Sequence, residues 1–172
     1  APIYLLDRSV IRAFPGGGTL TLTHQIVLVP HAEAVARFAE LRLPSGARIF
    51  TLRTIKPDGT TREPEDVGDP ERVHLPDVAV GDLVEVEIGT ARAPEPTWNQ
   101  GFAGGTFSFR STAAHFFRSE LVVVAPLAMP LRFTPIGAVP PPREHRVAGR
   151  RVVTFTAEQV DRLEPEPFAP TL

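Results

Sequence analysis

Nineteen prolines are spread along a chain of 172 residues. Each one holds φ near −65° and removes a backbone donor, so proline is confined to first turns, corners and sheet edges. At this density a mostly helical protein is excluded, and the chain must be built from short extended runs joined by turns. The runs between the prolines carry the period of two that strands require. In Thr19–Val29, Leu20, Leu22, His24, Ile26 and Leu28 share one face, while Thr21, Thr23 and Gln25 share the other. This predicts a half-buried strand with its leucines inward. Tyr4–Phe14 is its expected partner, joined through Pro15-Gly16-Gly17-Gly18.

The rest of the chain follows the same grammar. Pro30–Ala39 is the one helix candidate, with Pro30 suited to a first turn and alanines following. Arg48–Ile55 is β-prone and turns at Lys56-Pro57-Asp58-Gly59-Thr60, where Pro57 presets one corner and Gly59 accepts positive φ. Val73–Leu75 is a short strand. Leu83–Ile88 places Val84, Val86 and Ile88 inside, with Glu85 and Glu87 on a solvated face. Further strands are expected at Thr106–Ser111, Ser119–Ala125 and Leu131–Phe133, and Arg143–Val147 should pair with Arg151–Thr156 across Ala148-Gly149. The sum is an all-β domain over residues 1–168, with about ten short strands and at most one short helix. Strand spacing of about 8–15 residues points to an antiparallel β-sandwich. Residues 163–172, rich in proline, read as an extended exit linker toward a downstream domain.

Composition narrows the chemistry. There is no cysteine, so this chain supplies no disulfide, thiolate metal site or thiol nucleophile. A net charge of −2 gives no overall pull toward nucleic acid. No apolar run is long enough to cross a membrane as a helix, and Ala1–Phe14 carries Asp7, Arg8 and Arg12 rather than the apolar core of a signal peptide. The single methionine is Met129, so the chain is expected to be a segment of a longer protein.

Catalytic signatures are missing. No serine lies in a G-x-S-x-G elbow or an S-x-x-K pair. The histidines lack H-x-x-x-H spacing, and His24 reads as a buried imidazole bonded to backbone. Catalytic, cofactor-binding and metal residues are therefore all expected to be none. Gly16-Gly17-Gly18 is not followed by a phosphate-binding helix signature. The one interaction loop the sequence offers is Trp98, Asn99, Gln100 and Phe102, an aromatic pair with amides among glycines. It is a candidate platform for peptide or sugar, set against the simpler reading of a loop folded over the end of the domain.

Several segments in order resemble one family. Thr54-Ile55-Lys56-Pro57-Asp58-Gly59-Thr60 is similar to its Pro-Asp-Gly hairpin. Leu75-Pro76-Asp77-Val78-Ala79-Val80-Gly81-Asp82-Leu83-Val84-Glu85-Val86 is similar to its glycine-aspartate segment. Phe107-Ser108-Phe109 followed by His115–Val123 resembles its late strands. With the strand Leu20–Val29 and the exit at Leu163–Pro167, these residues resemble DUF3857, a domain found N-terminal to transglutaminase-like domains in bacteria. The resemblance implies an Ig-like β-sandwich without catalytic residues of its own. It implies an accessory or interaction domain whose partner is a downstream transglutaminase-like, cysteine peptidase-like domain, with protein or peptide as substrate. The compartment is left open by the residues, with the bacterial envelope or periplasm favoured over the cytoplasm. Two other roles, a carbohydrate- or peptide-binding module and a structural spacer, fit the same residues.

Overall fold

The computed structural model describes residues 1–65, 72–96 and 101–164. The elements run β1 (Ile3–Ala13), β2 (Thr19–Leu28), α1 (Ala32–Ala39), β3 (Glu40–Leu41), β4 (Arg48–Ile55), β5 (Thr61–Arg62), β6 (Val73–His74), β7 (Leu83–Arg92), β8 (His115–Pro126), β9 (Arg143–Val147) and β10 (Arg150–Val160). Among the described residues the fold is mostly β with one short helix, as the proline density requires. Eight strands form one sheet in the order β5-β4-β7-β2-β1-β8-β10-β9, and β3 pairs only with β6.

The antiparallel sandwich expected from strand spacing is corrected here. The hydrogen bonds draw one main sheet of mixed sense, in which β1 runs parallel to β8 while its other pairings are antiparallel. Hairpins can deliver only antiparallel neighbours; a parallel pair needs a long connection. β8 arrives beside β1 after most of the chain has intervened, so no local pattern announces it. Thr106–Ser111 and Leu131–Phe133, expected as strands, lie in irregular segments instead. The local hairpins are as expected. β1 turns into β2 over Gly16 and Gly17, both at positive φ, and β9 turns into β10 at Ala148 and Gly149.

Residues directly opposed across a ladder share a face. Leu52 opposes Val86, Thr54 opposes Val84, Val27 opposes Val84, and Asp7 opposes both Gln25 and Ser119. On the far side Ile11 opposes Val123, Val123 opposes Val153, and Leu121 opposes Phe155. All lie on one face, which is the covered one. Over β4, β7 and β2 it is covered by α1 and the segments around β3 and β6: Val27, Val29, Leu52, Val84 and Ile88 pack with Ala34, Phe38, Leu43, Val73 and Leu75. α1 presents Ala34 and Phe38, four residues apart, to this core. Its eight residues have no side-chain cap, so packing rather than propensity holds it. Over β8 and β10 the cover is irregular chain, with Phe109 on Val153 and Phe155 and Phe107, Leu131 and Val139 beside them.

The expected orientation of β2 is reversed. Val27 and Thr19 are buried on the covered face, whereas Leu20 is 47 % exposed. The leucine row lies on the opposite, open face, because α1 docks on the Val27 side. Phe50, 53 % exposed, lies over Gly89 on that open face, where an added Cβ would sit 2.8 Å from its ring.

Candidate functional site

Three polar arrangements and one cleft stand out. The first joins two of the sequence motifs. Lys56, the only lysine, precedes the Pro57-Asp58-Gly59 turn and donates to Asp82 Oδ2 at 2.8 Å and to the Asp77 carbonyl. Asp82 is 1 % exposed and also accepts from Ala79 N at 2.7 Å. Gly81 N donates to the Val29 carbonyl at 2.9 Å, and Val29 N to that of Asp82 at 2.9 Å. The hairpin, the glycine-aspartate turn and the end of β2 are thus one junction, and its role is structural. Asp58 caps its own turn by accepting from Thr60 N and Oγ1, which holds its carboxyl below the usual range.

The second arrangement crosses the open face. Arg53 Nε donates to Glu85 Oε2 at 2.7 Å, and His24 Nε2 lies 2.9 Å from Glu85 Oε1. Arg8 Nε donates to Glu120 at 2.9 Å, Arg118 bridges Glu120 at 2.8 Å to Glu158 at 3.2 Å, and Thr156 Oγ1 donates to Glu120 at 3.3 Å. The stripe reaches from β4 to β10. Glu85, expected on a solvated face, is buried beneath its partners. Burial pushes its carboxyl up, but the hydrogen bonds of His24 and Arg53 outweigh this and hold it below the ordinary 4.5. His24 bonds to a carboxylate rather than to backbone, because the register of β2 on β7 sets it diagonally opposite Glu85.

The third lies on the covered face between the two hydrophobic clusters. Asp7 is almost fully buried and accepts from Gln25 Nε2 at 2.8 Å. Burial raises its pKa above the ordinary 3.8, and the Gln25 bond offsets part of that rise. Ser119 stands across the ladder from Asp7, fully buried, with a hydroxyl that has no partner among the described residues. A hydroxyl so placed has no access to a substrate. Among the described residues, no three histidine, aspartate or glutamate side chains gather as metal ligands would.

The cleft lies where irregular chain covers β8 and β10. It encloses about 1430 Å³ between the sheet and segments 101–110 and 126–142. Phe102 of the sequence-predicted loop lines it, together with Phe107, Phe109, Phe133 and Phe155. Trp98, Asn99 and Gln100 lie outside the described residues. Phe109 and Phe155 are buried, but Phe133 is 40 % exposed and Ile136 84 % exposed, so the aromatic wall stays open to solvent. Phe133 meets Phe155 edge-on at 5.0 Å, and Phe107 meets Phe109 at 4.9 Å. Sequence reading placed strands on two of the cleft's walls. The signal that could have found it is the spacing of Pro130, Pro135 and Pro140-Pro141-Pro142, which forbids a continuous ladder there.

With the fold in view, the chain can be set beside known proteins. No protein-family model and no curated protein matches the sequence. Among solved structures it is similar to a "putative protease" from Parabacteroides distasonis ATCC 8503, with a TM-score of 0.79 and 14 % sequence identity. The match covers 99 % of this chain and 38 % of that one, so this chain spans well under half of the Parabacteroides protein. The likeness is one of fold. Among the described residues no helix is long and apolar enough to cross a membrane.

Proposed function

We propose that this domain is a non-catalytic accessory module of a larger bacterial transglutaminase-like, cysteine peptidase-like protein, as its resemblance to DUF3857 implies. One observation carries the reading: nearly the whole chain overlays on 38 % of a larger protein described as a "putative protease". The chain's lack of cysteine agrees with a nucleophile housed in a neighbouring domain. In this reading the domain positions that neighbour or presents substrate to it, in the cell envelope.

The test is to assay the domain alone and joined to the domain that follows it in its gene. The joined protein is expected to carry out amide hydrolysis or acyl transfer, and the domain alone none. Turnover by the isolated domain, abolished by a substitution within it, would sink the proposal. A second reading, a peptide-binding module, is favoured by the open aromatic cleft and is compatible with the first.

A further inference from the structure

Two stretches of irregular chain frame the cleft, 101–110 and 126–142. The second is pinned at its start, where Leu127 N donates to the Gly149 carbonyl and Met129 N to that of Pro126; among the described residues, 101–110 and 130–142 make no backbone–backbone hydrogen bond. The Ala103 carbonyl accepts from Arg92 Nη1 at 3.5 Å, and most of the remaining backbone groups are left to water or to an extended partner. Irregular segments longer than about 12 residues are uncommon in compact domains and are usually either functional loops or linker-like segments. The volume of about 1430 Å³ exceeds the roughly 300–1,000 Å³ of small-molecule pockets and suits a length of polypeptide. The lining includes no aspartate or glutamate, though Asp161 shares an adjoining pocket with Arg110; it does include Arg110 and Arg132, both exposed and neither in an ion pair among the described residues. The ion-pair stripe of the open face differs: there Arg8, Arg53 and Arg118 are all spent on glutamates.

We propose that this cleft binds an extended acidic peptide bearing aromatic or large aliphatic side chains. The peptide's apolar side chains enter between Phe102, Phe107, Phe133 and Phe155. Its carboxylates meet Arg110 and Arg132, and its backbone pairs with the free groups of the two framing segments. Aromatic walls, two exposed arginines and largely unpaired backbone are together what strand-like recognition of an acidic peptide needs. The proposal does not depend on the accessory role: a binder with turnover, or an inactive domain without peptide affinity, would each remove one reading and leave the other.

The experiment is fluorescence anisotropy on the full chain with a labelled octapeptide of alternating glutamate and phenylalanine. It is compared with its lysine-for-glutamate counterpart, its N-methylated counterpart and dodecanoate as competitor. Saturable binding of the acidic peptide is expected, with the lysine and N-methylated peptides each weaker by about tenfold or more. In the double variant Arg110→Glu/Arg132→Glu the preference should reverse toward the lysine peptide. That reversal is a gain which a misfolded variant would not show. The proposal is overturned if the acidic peptide fails to saturate below about 1 mM. It is also overturned if both charge forms bind alike, or if the double variant keeps the original preference. Full displacement by dodecanoate, with the N-methylated peptide binding undiminished, would make the cleft a lipid site and equally refute it.

Discussion

The covered face of the main sheet is packed in two ways. Over β4, β7 and β2 the cover is regular and its interior is closed: Val29, Leu75 and Val84 have no exposed surface at all. Over β8 and β10 the cover is irregular, only Phe109, Val153 and Phe155 are buried in the cluster, and a cleft remains. Both halves rest on the same ladder, with Asp7 and Ser119 between them. The difference lies in what each cover can contribute. A helix satisfies its own backbone and so can press side chains into a close-packed layer. Irregular chain must keep its backbone wet and cannot seal the layer. One half is thus suited to stability and the other to a partner.

That contrast can be broken by comparing substitutions in the two halves. Leu75→Ala should cost about 3–4 kcal/mol in urea unfolding, within the range for a fully buried leucine, whereas Phe133→Ala in the cleft wall should cost less than about 1 kcal/mol. Equal losses would mean that the cleft half is also core. Asp82→Ala comes next. It strands the Lys56 ammonium at the hairpin junction and should cost roughly 3 kcal/mol, the lower end for a broken buried pair because Lys56 keeps some solvent access. A loss under about 0.5 kcal/mol would show the junction to be ornamental.

Glu85→Gln sharpens the contrast between the two faces. The folded carboxyl titrates below its ordinary value, so its contribution is present above pH 4.5 and is lost as pH falls through the folded pKa. The variant should be less stable than the parent at neutral pH, and the gap should close on acidification. A gap that does not change with pH would remove the ion-pair explanation.

Asp7→Asn probes the seam between the halves and is the smallest effect. The folded pKa of Asp7 is raised, so the native state holds the proton more tightly than the unfolded chain. Its stability contribution is full below the ordinary 3.8 and declines as pH rises through the folded value. Asparagine keeps the oxygen that accepts from Gln25 and has nothing to ionise. The variant should match the parent in acid and exceed it at neutral pH in thermal unfolding. A variant less stable at neutral pH would show that the charge is needed.

Much of the fold was legible in the residues. Period-two alternation marked β2 and β7, and β-prone or apolar runs bounded by turns marked β1, β4, β8 and β10. Pro57-Asp58-Gly59 and Ala148-Gly149 marked their turns, and Pro30 with the alanines after it marked α1. These are local facts, carried by dihedral preference and side-chain period. Less of the site was legible. Phe102 was singled out and does line the cleft, but the aromatic residues around it were read as strand. Glu85 looked solvated because nothing near it in sequence shows that Arg53 and His24 will close over it.

By itself the sequence determined that this chain is short strands and corners, with no thiol and one small helix, because proline, glycine and alternation act over a few residues. Tertiary structure alone decided that β8 lies parallel to β1, that β2 turns its valine rather than its leucines toward the core, and that one half of the covered face stays open. Each of those depends on which distant segment arrives to pack, and a residue's own neighbours in the chain carry no record of that.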